Sequence, residues 1–155
     1  MLLGHLFPKS EIEVNIAVIE YTGRWSLLAI ATNAVSTAIA EAAIDVVDLV
    51  SASSFAVTSD GLFVDPTEEE EDNASSGGVV GYMASTGEIT DVWITGALEV
   101  EEEDEMDVDS AGVKFGEILK TVVSSAADAR LVINHALMEM VKEKGLETGD
   151  KKVDG

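Results

Sequence analysis

The acidic residues after Val64 are the side chains of this sequence best placed to do chemistry. Asp65 is followed by Pro66, and Glu68 to Asp72 then supply five consecutive carboxylates. Carboxylates gathered at the end of a loop can bind a divalent cation through their oxygens. Blocks of one charge sign also repel themselves and commonly stay solvated. We therefore expect an exposed acidic loop here rather than a metal site.

Two further patterns resemble metal sites but lack a required ligand. Asp107 to Gly112 imitates the start of a calcium loop, yet Ile118 stands where a bidentate Glu closes such loops. His135 and Glu139 are one helical turn apart, and no second His lies near them. A surface pair on a helix is the favoured interpretation of these two residues. The sequence therefore predicts no metal and no cofactor.

The overall charge argues against direct binding of nucleic acid. Thirty acidic residues against nine Lys and Arg give a formal net charge of −21. Neutralising phosphates requires clustered Lys and Arg, so the surface of this chain is unsuited to binding RNA by itself. The sequence has no cysteine, which excludes disulfides and thiolate metal sites. The most apolar window, residues 27–44, is interrupted by polar side chains and predicts a buried helix rather than a membrane span.

Hydrophobic periodicity predicts the elements that would position the acidic segment. Apolar residues alternate with polar ones over 11–18 and predict a strand with one buried face. Ser26 can cap a helix of small residues that runs to about residue 43. The apolar run that follows predicts a strand over 46–58, buried on both faces. A Ser-Asp-Gly turn then leads to a short strand over 61–64, so that the two strands form a hairpin.

Charge and periodicity also predict the elements after Pro66. They are an acidic loop over 66–78, strands over 79–84 and 89–99, an acidic loop over 99–109, a helix from Asp109 or Ser110 to about 145, and a disordered polar tail over 146–155. The last helix carries one continuous apolar stripe. This order predicts the α+β class, with helices packed on a mixed sheet. We expect a partial domain over residues 1–145 that lacks an N-terminal half.

Several short motifs occur in the order and spacing of one known family. They are Phe7-Pro8-Lys9-Ser10 with Ile12, Asn33-Ala34-Val35-Ser36 with Ala38 to Ala42, Asp48-Leu49-Val50, and Asp60-Gly61 with Val64-Asp65. Through these motifs the chain resembles the RNase PH superfamily. The resemblance implies the fold of that family, which is like domain 2 of ribosomal protein S5.

The same resemblance points to altered positions around the acidic segment. Active relatives carry a catalytic Asp after this segment, and counting from Asp65 places it on Gly77. An earlier Asp of the family falls on Glu71, or on Asp72 with a shift of one residue. Because glycine has no carboxylate, the resemblance implies that general acid or metal chemistry has been lost.

The phosphate-binding turn of the family is altered as well. Active relatives hold phosphate with a Gly-Thr-Arg turn just before the first helix. Alignment without gaps from Asn33 places Leu27 and Leu28 at the Thr and Arg positions, and neither side chain can donate a hydrogen bond. Arg24 could replace the family's Arg only through a gap of several residues.

These departures are typical of the noncatalytic ring subunits of the eukaryotic RNA exosome. Within that group, Val64 to Glu70 most resembles the messenger-RNA transport regulator (Mtr) type. The resemblance implies a structural subunit of a hexameric ring that supports 3′-to-5′ RNA processing and decay in the nucleus, nucleolus and cytoplasm. The implied partners are other RNase PH-like ring subunits and cap proteins. RNA would be reached only through the ring channel, and no membrane is involved.

Two alternative functions remain open from the sequence. The first is an active phosphorolytic 3′-to-5′ exoribonuclease that uses Glu71, Asp72 and Arg24 through a shifted alignment. The second is an acidic module that binds a basic protein through its charge alone.

Overall fold

The computed structural model describes residues 11–97 and 115–143 of the chain. The elements of these residues are α1 (Arg24–Glu41), β1 (Ser51–Thr58), β2 (Gly61–Val64), α2 (Glu68–Asp72), β3 (Ser76–Met83), β4 (Glu88–Gly96) and α3 (Phe115–Glu143). The strands form one sheet in the order β2-β1-β3-β4. All three neighbouring pairs are antiparallel. The predicted α+β class is confirmed, but the expectation of a mixed sheet is wrong for the described residues.

Short turns explain two of the three antiparallel pairs, β1 with β2 and β3 with β4. The predicted hairpin of β1 and β2 is confirmed, with Thr58 opposite Gly61. Gly61 has a φ of +124°, a conformation that glycine adopts without steric cost. β3 and β4 are joined by residues 84–87. Parallel neighbours would need a crossover of roughly a dozen residues or more, and neither of these turns is long enough.

The core occupies both faces of the sheet because successive strand residues point to opposite sides. The cluster on one face joins β1 and β3 to α1 and consists of Trp25, Ala29, Ala52, Ala56 and Val79. The cluster on the other face joins the same strands to α3 and consists of Phe55, Val80, Ile118 and Val122. β1 is therefore buried on both faces, as predicted, although it begins at Ser51 rather than at residue 46.

The strand predicted over 11–18 is wrong for the described residues. No strand pairs with this segment there. The apolar side chains of Ile12, Val14, Ile16 and Val18 are between 36% and 55% exposed. Alternation provides an apolar face, but a strand also requires a neighbour for its backbone hydrogen bonds.

α1 begins two residues before the predicted N-cap, so the expectation that Ser26 caps it is wrong. Gly23 is the N-cap residue and contributes no side-chain hydrogen bond. Ser26 lies within the first turn, where its Oγ donates a hydrogen bond to the carbonyl oxygen of Pro66 at 2.8 Å. The first amides of α1 therefore need an acceptor from elsewhere in the chain.

The acidic loop predicted over 66–78 is also wrong, because this range contains α2 and the beginning of β3. Thr67 and Glu70 form a capping box in which each side chain accepts a hydrogen bond from the other residue's backbone N. Four acidic residues in the first turn of α2 favour the helix further, since the N-terminus of a helix attracts negative charge.

The first half of α3 confirms the predicted apolar stripe. Ile118, Val122 and Ala126 are buried. Farther along the same stripe, Leu137 and Met140 are only partly buried. No helix among the described residues is both long enough and apolar enough to cross a membrane.

Several predictions fall outside the described residues. They concern the acidic loop over 99–109, the calcium-loop pattern of residues 107–112, the helix start at Asp109 or Ser110, and the tail over 146–155.

Candidate functional site

The acidic segment places the carboxylate of Glu71 against the N-terminus of α1. Oε2 of Glu71 accepts a hydrogen bond from the backbone N of Arg24 at 2.8 Å. Oε1 accepts hydrogen bonds from the backbone N of Trp25 at 3.0 Å and of Ser26 at 3.1 Å. Glu71 is only 4% exposed. Its carboxylate therefore satisfies three amides that have no acceptor within the helix.

Charge and shape both favour this contact between Glu71 and α1. The N-terminus of a helix carries a partial positive charge, and a hydrogen bond to a carboxylate is stronger than one between neutral groups. Gly23 allows the close approach, because a Cβ at this position would collide with the Glu71 carboxylate. The carboxylate thus occupies the place at which a helix N-terminus could otherwise hold an anion from solution.

Gly77, where the resemblance places the family's catalytic Asp, has no space for a side chain. A Cβ at residue 77 would lie 2.6 Å from Cη2 of Trp25 and 2.7 Å from the carbonyl oxygen of Phe55. Trp25 is 3% exposed and belongs to the core cluster under α1. Its ring cannot move away from residue 77 without disturbing that close-packed cluster.

The residues aligned with the phosphate-binding turn form part of α1. Leu27 is half-buried and Leu28 is exposed, and neither side chain offers a hydrogen-bond donor. The guanidinium of Arg24 lies over the ring of Trp25, with Cζ 4.9 Å from the ring centre, in a cation–π contact. Arg24 therefore meets the Glu71 carboxylate through its backbone N, while its guanidinium lies over the indole.

The other acids of the segment are exposed, except Glu70, which is partly buried and forms the capping box with Thr67. Glu68, Glu69 and Asp72 are exposed on α2, and Asp65 is exposed just before it. Within residues 11–97 and 115–143, no three His, Asp or Glu side chains form a group that could hold a metal ion. The structure thus separates Glu71, which is buried and hydrogen-bonded, from acids that remain solvated.

Two smaller interpretations from the sequence can be compared with the structure. Nδ1 of His135 lies 3.6 Å from Oε2 of Glu139, and both side chains are mostly exposed, which confirms the predicted surface pair. The sequence also predicts that both tryptophans lie in the core or at an interface, because Trp is a large apolar side chain with one polar group. Trp25 is in the core, whereas Trp93 on β4 is 57% exposed.

A second polar cluster joins α3 to the segment before β1. A guanidinium nitrogen of Arg130 lies 2.6 Å from Oδ1 of Asp48, and the other terminal nitrogen donates a hydrogen bond to the carbonyl oxygen of Leu49 at 2.6 Å. Oδ2 of Asp48 accepts a hydrogen bond from the backbone N of Ser85 at 3.1 Å. Asp48 therefore links α3, the entry to β1 and the turn between β3 and β4.

This environment lowers the pKa of Asp48 below its ordinary value. Burial is the largest single influence and by itself would raise the pKa of this carboxyl. The hydrogen bonds from Ser85 and Leu49, together with the charge of Arg130, outweigh burial because they favour the ionised form.

The structural roles of Glu71, Asp48 and Arg130 were not predicted from the sequence. Glu71 is one of four consecutive glutamates, and nothing local distinguishes it from its exposed neighbours. Arg130 and Asp48 did carry a signal. Arg130 is one of two arginines in the chain, and Asp48 is the single acid in the apolar run of residues 46–50, a pattern that favours pairing.

Comparison with known proteins agrees with this fold. Residues 48–107 match the model of the 3′ exoribonuclease family, domain 2. The solved structure of rice (Oryza sativa) Rrp46 superposes with a TM-score of 0.57 and 18% identity, covering 80% of this chain and 51% of that one. The chain thus has an RNase PH-like fold, and residues 48–107 are similar to domain 2 of the 3′ exoribonuclease family.

Relatives of this chain include components of the exosome complex. The component mtr3 of Schizosaccharomyces pombe is 40% identical over 141 residues, which cover 88% of this chain and 50% of that protein. The RRP41-like component of Arabidopsis thaliana is 30% identical over 132 residues, covering 83% and 50%. The predicted resemblance to the RNase PH superfamily, and to the Mtr type within it, is confirmed. The chain spans about half the length of these relatives.

Proposed function

We propose that this chain acts as a noncatalytic structural subunit of an exosome ring. The single observation that carries the proposal is the contact between Glu71 and α1. The carboxylate of Glu71, which aligns with an earlier Asp of the family, is buried and accepts three backbone hydrogen bonds. A carboxylate held in this way is not available to transfer a proton or to bind a metal ion.

The loss of phosphate binding follows from the same contact. A phosphorolytic enzyme needs donors that face its phosphate, and the first amides of α1 already donate to Glu71. Leu27 and Leu28 supply no replacement donor, and the indole of Trp25 fills the space beside Gly77. The positions Gly77, Glu71, Leu27 and Leu28 therefore fit a degenerate site.

The relatives support assembly as the remaining role. We infer that the partners are other RNase PH-like ring subunits and cap proteins, and that RNA is contacted through the ring channel. The net charge of −21 disfavours RNA on the outer surface of the chain. Through the ring, the chain would contribute to processing of ribosomal RNA, RNA surveillance and decay of messenger RNA, in the nucleus, nucleolus and cytoplasm.

Reconstitution tests the proposal directly. The chain is co-expressed with the other RNase PH-like exosome subunits, and the purified assembly is given RNA and inorganic phosphate. We expect the purified assembly to contain this chain. Any release of nucleoside diphosphates by the other subunits should be the same with wild type, Asp72→Asn and Arg24→Ala. An active RNase PH-type enzyme serves as the positive control.

Two results would overturn the proposal. Loss of phosphate-dependent release in both Asp72→Asn and Arg24→Ala, in assemblies of unchanged composition, would establish the phosphorolytic alternative. Failure of the chain to assemble, together with salt-sensitive binding to unrelated basic proteins, would instead favour the acidic binding module.

A further inference from the structure

β4 forms an edge of the sheet that no described strand covers. The order β2-β1-β3-β4 leaves two edges, β2 and β4. β2 has four residues, all partly buried, and α3 packs near it. β4 has nine residues, and all except Ile94 are exposed. Of the two edges, β4 is the longer and the more accessible.

β4 also lacks most of the features that protect an edge strand from pairing. Lys, Arg and Pro are common protective residues on such strands, and β4 contains none of them. Its charged residues are Glu88 and Asp91. One irregularity, at Thr90, lies near the start of the strand and leaves Asp91–Gly96 in regular register with β3. Backbone groups on the outer side of this regular stretch can therefore bind another strand.

The side chains of β4 provide an apolar anchor beside this edge. Trp93 is 57% exposed, and its indole N–H donates a hydrogen bond to Oγ1 of Thr95 at 3.3 Å. Val92 and Ile89 are also exposed. An accessible tryptophan among aliphatic side chains is typical of the residues that contribute most to protein interfaces.

A groove next to the start of β4 adds an acidic group to the apolar surface. Its volume is about 550 Å³, and it is lined by Val50, Met83, Glu88, Ile89 and Thr90. Apolar side chains together with one carboxylate suit a Lys or Arg side chain, whose methylene stem packs on the apolar part while its charge meets Glu88.

We propose that β4 pairs with an edge strand of another RNase PH-like ring subunit, and that this partner presents Lys or Arg to Glu88 and Asp91. The inference rests on the proposed function, since it names the surface by which the chain enters the ring. A second copy of this chain is a poor occupant, because each copy carries a net charge of −21 and the two would repel each other. A basic partner gains attraction from the same charge.

Binding to each of the other RNase PH-like subunits, purified separately, tests the surface. Trp93→Lys removes the aromatic anchor and places a charge on the edge, and we expect affinity for the partner to fall about tenfold or more. Leu131→Lys is the matched control, since Leu131 is a similarly exposed apolar residue on α3. Thermal unfolding of both variants verifies that they are folded.

Charge reversal tests the predicted chemistry of the partner. The pair Glu88→Lys with Asp91→Lys should weaken binding, with the largest loss at low salt. Glu68→Lys with Glu69→Lys changes the net charge equally at exposed positions of α2 and should have little effect. Hydrogen exchange gives an independent measurement, because pairing should slow exchange of the outward amides of Glu88–Gly96 in the complex.

The outcomes distinguish this inference from the function on which it rests. The inference is wrong if wild type binds a ring subunit, the β4 substitutions weaken this binding no more than their controls do, and hydrogen exchange in β4 is not slowed. The proposed function would then remain intact. Absence of binding to every ring subunit overturns both. Self-association of the chain that Trp93→Lys abolishes would identify a second copy as the occupant and overturn the heterotypic pairing.

Discussion

Arg130 on α3 and Asp48 before β1 form an ion pair whose closest atoms are 2.6 Å apart, although 82 positions separate them in the sequence. The same guanidinium donates a hydrogen bond to the carbonyl oxygen of Leu49 at 2.6 Å. α3 is thereby fixed to the chain entering β1, the strand that is buried on both faces. The pair holds the longest helix in position over the sheet.

Replacing Arg130 by Met should destabilise the protein. Asp48 would remain largely buried without the charge of Arg130. We therefore expect a loss of about 2 kcal/mol in the free energy of unfolding, which lies between the losses typical of exposed and of buried ion pairs. Urea denaturation measures this loss. Glu139→Gln on the same helix is the control, because the exposed pair of His135 and Glu139 should contribute almost nothing. Equal effects of the two substitutions would contradict the role assigned to Arg130.

The stability that Asp48 contributes should depend on pH. Its pKa is lower in the folded protein than in the unfolded chain, where a value of about 3.9 applies. The contribution is therefore fully present above the unfolded pKa and is lost as the pH falls through the folded pKa. The difference in unfolding free energy between wild type and Asp48→Asn should be constant near neutral pH and shrink below about pH 4. A difference that does not change with pH would contradict this prediction.

Glu71→Ala should destabilise α1, because three amides at its N-terminus would lose their acceptor. We expect the free energy of unfolding to fall by about 2 kcal/mol, which is typical when a helix loses a strong cap and buried charge-assisted hydrogen bonds. Glu69→Ala is the control, since Glu69 is exposed on the same short helix. Chemical denaturation of the two variants measures the difference, which would vanish if Glu71 were a solvated acid like its neighbours.

Phosphate should distinguish Glu71→Ala from wild type. In wild type the amides of α1 donate to Glu71, so added phosphate should raise the melting temperature only by its general salt effect, which Glu69→Ala should show to the same extent. In Glu71→Ala the amides are released, and an anion that binds them would raise the melting temperature with increasing concentration. If phosphate stabilised wild type as much as Glu71→Ala, the Glu71 carboxylate would not be occupying the N-terminus of α1.

Gly77→Ala tests whether the indole of Trp25 leaves space beside the expected catalytic position. The added methyl group would press against the buried ring and the carbonyl oxygen of Phe55, and we expect a cost of about 1–3 kcal/mol. Gly116→Ala on α3 is the control, because no atom lies within 4 Å of a Cβ there. That substitution should be neutral or stabilise the helix by about 0.5–1 kcal/mol. Equal stability of the two variants would show that residue 77 has room for a side chain.

The sequence by itself predicted the elements whose signals are local. The turn between Thr58 and Gly61 requires a backbone conformation that favours glycine, and the apolar spacing around Ile118 and Val122 is helical. Family motifs in their proper order also indicated the RNase PH-like fold. The α+β class followed from the order of these elements.

Only the tertiary structure decided which partners the polar groups and strands would find. Residues 11–18 have the alternation of a strand but no described neighbour, so the pattern did not produce pairing. Glu71 differs from Glu69 only because folding places it against Trp25, 46 positions away, where unsatisfied amides attract a carboxylate. Periodicity arises from each residue's own neighbours along the chain, whereas burial, capping and pKa depend on groups that approach only when the chain folds.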